Sequence, residues 1–597
     1  MERSVPELKV GPVLSYRNTE WSQTRRAWRV TALIGLADGE PPPAVVVENV
    51  EGAKPLKLAS VAGITLWRYD LTVELQSKER RVPYSFHAIP REWEFTAPAL
   101  GQDVRCAYVS CNGFSDPRAM RKLAYQAGAV WQDLLTNHDR RLHASAPIDK
   151  EQRWHLDQGH GTEVQRFHVL MMGGDQMYFD SIWEDNDELK EWADLARDAQ
   201  LAYPVSEKLE REILHYYFET YCKRWLKPAR GGWAHDTQER DCADAMARIP
   251  TIMMWDDHDI FDGWGSYTQE MQNSAVAQTL FQAARQAFWV YQLQQPLELL
   301  PPLTIDQEKY ADDAPQFAPI SWSKVLAGDP LALPLLDGQP GFSSSFNLGS
   351  CRALVLDLRT ERSRNQILSE PTWQAIDRAL QDMPEKPAPG SPRTTHLLVL
   401  SSVPVAHPKL SVAEALLDSF GSEHVIESNA DDLKDHWSHD DHEPQRKRLT
   451  RLLLKYAGNK RFRTCIISGD VHVAAWGNLY RADAGPDKNW LRIQQFTSSG
   501  VLHPAPSGPI EGLFVSLLNS ASAKVQHIDT EHRCEMMLFP AHRKYMMAAR
   551  NWLALELDSK PVDALPPRLW ATWRCETGTG FSNHMVAIHP APLPEAT

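Results

Sequence analysis

Six short apolar runs, at residues 104–110, 166–172, 250–255, 353–356, 396–400 and 464–467, lack the strict polar alternation that a strand with one wet face requires. Strands of that texture are buried on both faces, as when helices cover a sheet. Helical patterns lie between them, at about 116–137, 205–228, 270–294, 371–383 and 445–457. Buried strands alternating with helices predict a layered α/β domain. Residues 8–97 have a different texture, with short strands broken by turn clusters such as Asp38-Gly39-Glu40-Pro41-Pro42-Pro43. That pattern predicts a small β-sandwich of immunoglobulin or fibronectin type. The expected division is 1–98 for the sandwich and 99–597 for the α/β domain. A Pro- and Gly-rich excursion at 295–349 is long enough to serve as a lid or binding loop.

Charge narrows the functions open to such a domain. The chain carries 63 basic and 77 acidic side chains, a net charge of -14, so it lacks the basic surplus that displaces counterions from duplex nucleic acid. No stretch reaches the ~18 consecutive apolar residues of a membrane span, and the opening Met1-Glu2-Arg3-Ser4-Val5-Pro6 has no apolar signal core. The expectation is a cytoplasmic protein with no membrane span. The 8 cysteines show no paired CxxC spacing, which argues against a disulfide framework or a zinc ribbon.

The chemistry collects where the apolar runs end. Run 166–172 leads into Gly173-Gly174-Asp175-Gln176-Met177-Tyr178, run 250–255 into Asp256-Asp257-His258-Asp259, and run 464–467 into Ser468-Gly469-Asp470-Val471-His472. In open α/β sheets ligands bind beyond the carboxyl ends of the strands, so these loops can share one crevice. Asp and His supply oxygen and nitrogen donors to divalent or trivalent metals. Three carboxylates and an imidazole in a row repel one another unless cations or hydrogen bonds offset them.

In this order and over residues 104 to 500, these motifs resemble the PhoD-like (alkaline phosphatase D) branch of the calcineurin-like metallophosphoesterases. Val109-Ser110-Cys111-Asn112 is similar to the Ser-Cys that opens that catalytic domain, and Leu356-Asp357-Leu358-Arg359-Thr360-Glu361-Arg362 to its Leu-Asp-x-Arg-x-x-Arg segment. The resemblance implies a four-layer αββα sandwich behind a small N-terminal β-sandwich, and two or more metal ions, with iron and calcium as the implied identities. It implies Asp175 as a bridging carboxylate, Asp257 as a ligand in place of an asparagine, and His258 as the catalytic histidine. Asp470 and His472 fill the last ligand motif, and Cys111 and Tyr178 take the positions of a thiolate and a phenolate bound to iron. Asp262 and Gly263 stand where two asparagines often follow, so Asp262 is a ligand of changed charge. No histidine accompanies Ser401-Ser402-Val403-Pro404, and His407 lies beyond the proline.

The implied activity is a metal-dependent phosphoesterase acting on a phosphorylated small molecule or ester, mono- or diester, through a metal-activated hydroxide. Arg359 and Arg362 have two readings: a guanidinium forks onto phosphate oxygens, or it pairs with Asp357 and Glu361. The run 431–443, with Asp435, His436, His439, Asp440, Asp441 and His442, reads as a solvated loop before a metal site. Two other functions fit the same residues: a binding protein that keeps the fold without catalysis, and a metal-dependent hydrolase of a non-phosphate bond.

Overall fold

The apolar runs form the centres of two large sheets. The structure is a computed structural model that describes residues 6–22, 25–114, 128–140, 166–225, 239–304, 316–384, 392–409, 437–506, 509–558, 567–578 and 580–592. In the first sheet Cys106–Val109, Val169–Gly173 and Thr251–Met254 run parallel, with Val109 opposite Met172 and Met172 opposite Met253. In the second, Cys351–Val355, His396–Leu400, Arg463–Ser468 and Arg492–Ser498 run parallel. Antiparallel strands extend both, giving 11 strands in one sheet and 9 in the other.

The packing explains why the runs carry no polar alternation. Leu398 and Leu400 enter one hydrophobic cluster with Tyr108, Leu170 and Ile252 of the first sheet. Their neighbours Leu397 and Val399 enter a second cluster, with Trp373 and Ile376 of the helix Glu370–Gln381 and Leu449 and Leu453 of the helix Glu443–Lys460. Each strand therefore buries both faces, one toward the other sheet and one under helices. A fully buried side chain of this kind is worth about 1.5–3 kcal/mol. The helices Glu207–Arg224 and Ala275–Tyr291 pack into the first cluster. Both start at a serine whose side chain accepts a backbone N–H, Ser206 from Leu209 and Ser274 from Ala277, which satisfies an otherwise orphaned donor of the first turn. The chain is thus α/β, as expected. Elements end within a few residues of their expected limits, except that 116–127 of the first expected helix lies outside the described residues, which hold Ala129–Arg140.

The N-terminal strands divide between two sheets. Val45–Val47, Val50–Glu51, Arg80–Phe86 and Glu92–Ala97 form a 4-stranded sheet. Val10–Trp21, Arg26–Ala37, Leu56–Val61 and Ile64–Asp70 belong to the large first sheet, joined to it where Ser15 lies opposite Thr251 on a parallel neighbour. The rings of Tyr69 and Phe86, 5.0 Å apart, bridge the two. Hydrogen bonding therefore runs across residue 98, where the sequence texture changes.

Parts of the described 295–349 excursion pack into the core, although most of residues 297–330 are partly or fully exposed. Trp322 and Phe342 are buried and stack near Trp289. Asp329 pairs with Arg68 at 2.7 Å, and the Phe342 N–H donates to Asp357 at 2.8 Å. The segment ties the N-terminal strands to the Asp357 turn. No helix of the described residues is long and apolar enough to cross a membrane.

Candidate metal centre

The motif loops leave their strands through backbone that L-residues seldom adopt. Cys111, Asp175, Asp470 and His472 have φ of 57°, 54°, 70° and 52°. Such left-handed residues are uncommon outside glycine and cost of order 1–3 kcal/mol each, so they persist only where the surroundings over-determine them. The neighbouring Gly174 has a φ of 118°, and a Cβ there would meet the Asp256 Cβ at 2.8 Å. The two sheets hold these turns together. Cys111 N–H donates to Gly174 O at 3.1 Å, Asn112 N–H to Asp175 O at 2.8 Å, and Gly469 N–H to Ser402 O at 2.9 Å.

Side chains converge accordingly. Donor atoms of Asp175, Asp257 and His258 lie within 4.8 Å of one another, and so do those of Asp256, Asp257 and Asp470. Asp257 is common to both sets. The Cys111 Sγ and the Tyr178 hydroxyl each stand 3.4 Å from Asp175 Oδ2. The Cys111 Sγ is also 3.1 Å from Ser499 Oγ and 3.9 Å from Asp470 O. His472 is in neither set; its ring centroid lies 3.6 Å from that of His503, which is 6.0 Å from Tyr178, itself 4.3 Å from His258. Asp262 sits at the rim, its side chain 36% exposed and 3.9 Å from His258 Nε2.

Electrostatics follow from this crowding. Burial pushes the Asp175 carboxyl well above the usual carboxylate range, and Asp256, Asp257 and Asp259 push it further. Burial likewise raises Asp256, to about 8, against the opposing pull of Arg359. Burial and the Asp175 charge raise the Cys111 thiol, and the same two causes raise the Tyr178 phenol. His472 is held well below its ordinary value by burial and by the neighbouring imidazoles of His503 and His258. Every one of these shifts works against the charged form of a carboxylate, thiolate or phenolate, or for a neutral imidazole. A neutral imidazole is what a metal takes, and a nearby cation reverses the penalty on the anions.

The donor set fits metal ions. Asp175 Oδ1 and His472 Nε2 are buried with no hydrogen-bond partner among the described residues. Buried polar atoms are satisfied in folded proteins as a rule, and orphans call for a bound group.

Arg359 differs from the phosphate-binding reading. Its side chain has no exposure, its Nε donates to Asp256 Oδ1, Nη1 to Trp264 O at 2.9 Å and Nη2 to Asp257 Oδ1 at 3.3 Å. The whole fork is engaged, which makes it a clamp on two carboxylates. Asp357 is equally saturated, accepting from Trp255 Nε1, Phe342 N, Arg359 N and Thr360 N. Arg362 is buried under Gly265.

Five further side chains that were given no role from the sequence support the site. Asp180 belongs to none of the motifs, yet its Oδ2 lies 2.7 Å from His258 Nδ1 and its Oδ1 accepts from Asp262 N–H at 2.8 Å. His503 stacks on His472. Ser402 donates to Asp256 Oδ1 at 2.9 Å, and Ser499 accepts from His472 N–H at 3.0 Å. Asp259 closes the loops from behind, accepting from the Gln176, Met177 and Asp256 N–H groups. Of the run 431–443, Asp435 and His436 lie outside the described residues, while His439, Asp440 and Asp441 are at the surface or close to it.

The resemblance drawn from the motifs holds at the family level. The family described as PhoD related phosphatase matches residues 152–314 and 415–538, the segments that contain Asp175, Asp257, His258, Asp470 and His472. The chain is also similar to the uncharacterized protein YGR266W of Saccharomyces cerevisiae, 27% identical over 448 residues, which are 70% of this chain and 56% of that protein. The chain therefore spans little more than half the length of that relative.

Proposed function

We propose that this chain, whose motif-bearing segments match the PhoD related phosphatases, is a metal-dependent phosphoesterase that hydrolyses phosphate mono- or diesters. The observation that carries this reading is that Asp257 lies within reach of Asp175 and of the pair Asp256 and Asp470, a cluster of buried carboxylates with the His258 imidazole beside it. Asp175, Asp257, Asp470 and His472 would hold the metals, with Cys111 and Tyr178 completing an iron site and Asp262 an oxygen donor at the rim. Such ions, when bound, polarise the phosphoryl oxygens and lower the pKa of water.

The remaining work falls to the chain's own side chains. Asp180 takes the Nδ1 of His258, which turns Nε2 toward the acid cluster and sets it to deliver a proton to the leaving oxygen. Arg359 holds Asp256 and Asp257 in place and so acts as a positioning residue. Tyr178, stacked on the His258 ring, limits its rotation. We assign the two large sheets to the paired sheets of the four-layer sandwich, and residues 1–98 to the small β-sandwich fused edgewise to one of them. The shared hydrophobic cluster between the sheets supports this.

The test is elemental analysis of the purified protein, followed by turnover of aryl and alkyl phosphate monoesters and diesters before and after chelation. Metal-dependent release of phosphate or of a phosphomonoester is the expected result. Bound metal with no turnover of any phosphate ester would favour hydrolysis of another bond, and absence of metal would overturn the reading.

A further inference from the structure

The strand Arg492–Ser498 of the second sheet ends directly at Ser499, where the chain is held in place. Asn551 Nδ2 donates to Ser499 O at 2.8 Å, and the next residue, Gly500, has a φ of 81°, where a Cβ would meet His503 O at 2.8 Å. This turn seats the Ser499 hydroxyl between two residues of the acid centre. Its oxygen accepts the His472 N–H at 3.0 Å and lies 3.1 Å from the Cys111 Sγ. Ser499 and Cys111 are both fully buried.

Four groups surround the Cys111 Sγ: Ser499 Oγ at 3.1 Å, Asp175 Oδ2 at 3.4 Å, Ser110 Oγ at 3.6 Å and Asp470 O at 3.9 Å. Three of them have no proton to give it once a metal is bound. An ionised carboxylate and a backbone carbonyl only accept, and the Ser110 hydroxyl donates its proton to Ser498 O at 3.1 Å. Ser499 is different. A backbone N–H can only donate, so His472 occupies a lone pair of Ser499 Oγ and leaves the hydroxyl proton for sulfur. A thiol can pass its own proton to Asp175, whereas a thiolate finds one donor among the described residues, Ser499.

We propose that Ser499 is a positioning residue of the metal centre, whose hydroxyl donates to the Cys111 thiolate and ties it to the His472 turn; the proposal rests on Cys111 being a metal ligand in the phosphoesterase reading. The path from the His472 N–H through the Ser499 O–H to the Cys111 Sγ joins a loop of the first sheet to two loops of the second. Each bond along such a path polarises the next. A hydrogen bond to a ligating sulfur draws charge away from it. The ion then keeps more of its own charge for the phosphoryl oxygens. Ser499 thereby sets how tightly the thiolate holds the ion and how strongly the ion acts as a Lewis acid.

The experiment uses the full chain, stripped with a chelator and reloaded with cobalt(II), whose bond to a thiolate gives a near-ultraviolet charge-transfer band. The unaltered protein should show the band, and Cys111→Ala should lose it. Ser499→Ala should keep the band at longer wavelength and bind cobalt about 10–100-fold more weakly, while Ser110→Ala should leave the band where it is. The cobalt–sulfur vibration of the unaltered protein should also move between H2O and D2O, a readout that needs no variant to fold. An unmoved band in Ser499→Ala, an equal shift in Ser110→Ala, or a vibration indifferent to D2O would overturn the inference. Absence of a thiolate band from the unaltered protein would overturn it too, while metal-dependent turnover of phosphate esters would uphold the phosphoesterase. Absence of both band and turnover would overturn the two readings together.

Discussion

His258 and Asp180 form a part-buried pair, Nδ1 to Oδ2 at 2.7 Å, with side-chain exposures of 12% and 11%. Burial by itself would depress the imidazole, but Asp180, Asp257 and Asp262 outweigh it and hold His258 well above its ordinary value. The carboxylate fixes which nitrogen faces the acid cluster, as oriented imidazoles require.

His258→Ala should therefore lower kcat by roughly 10²–10⁴ on an alkyl phosphate, the span for losing a general acid, and less on an aryl phosphate whose leaving group needs no proton. Asp180→Asn should cost about 10–100-fold, and the double variant little more than His258→Ala alone. Steady-state kinetics with metal analysis would check this. Loss of metal from His258→Ala would make the histidine a ligand.

Cys111→Ala should remove or weaken an iron site. The Cys111 Sγ lies against Asp175 Oδ2 on left-handed backbone, where burial keeps a thiol protonated unless a cation stabilises the thiolate. Iron content should fall, and a visible charge-transfer band should shift or vanish. An unchanged spectrum and metal content would leave Cys111 as packing, like Cys106 on the strand before it.

Arg359→Leu should destabilise the fold by roughly 3–5 kcal/mol, because it strands two buried carboxylates, Asp256 and Asp257, without their counter-charge. Added divalent metal should restore part of the melting temperature. A variant with normal stability and a raised KM would instead return Arg359 to phosphate binding.

Acid should unfold the protein through a second buried cluster, at the beginnings of the strands that lead to Cys111 and Asp175. The Arg105 N–H donates to His168 Nδ1 at 2.9 Å, and burial together with the Arg105 charge lowers this histidine from 6.5 to about 4. Burial opposes the charge on Glu79, but Arg105 and His168 prevail and lower it from 4.5 to about 2. In both cases the unfolded chain binds the proton first. Stability should fall as pH drops from 6.5 to 4 for His168, and from 4.5 to 2 for Glu79, by about 3 kcal/mol each. Urea midpoints against pH would show it, and His168→Gln should flatten the upper window.

The strand cores and the acid-bearing turns were legible because both depend on short stretches of chain. An apolar run such as His396–Leu400 declares double burial by its own composition, and Asp256-Asp257-His258 declares a charge problem that only a cation or a partner can solve. For the excursion at 295–349, Pro and Gly mark irregular backbone and say nothing of what it packs on, here Arg68 and Asp357.

Partnership over long separations lay beyond such local signals. Nothing near Asp180 announces His258, 78 residues on, and nothing near Ser402 announces Asp256, 146 residues away. The left-handed turns at Cys111, Asp175, Asp470 and His472, and the engagement of every Arg359 nitrogen, exist only once two sheets bring their strand ends together. Residue type states what a side chain can donate, accept or ligate. Which of those capacities is used depends on the neighbours that burial supplies and on the water that it removes.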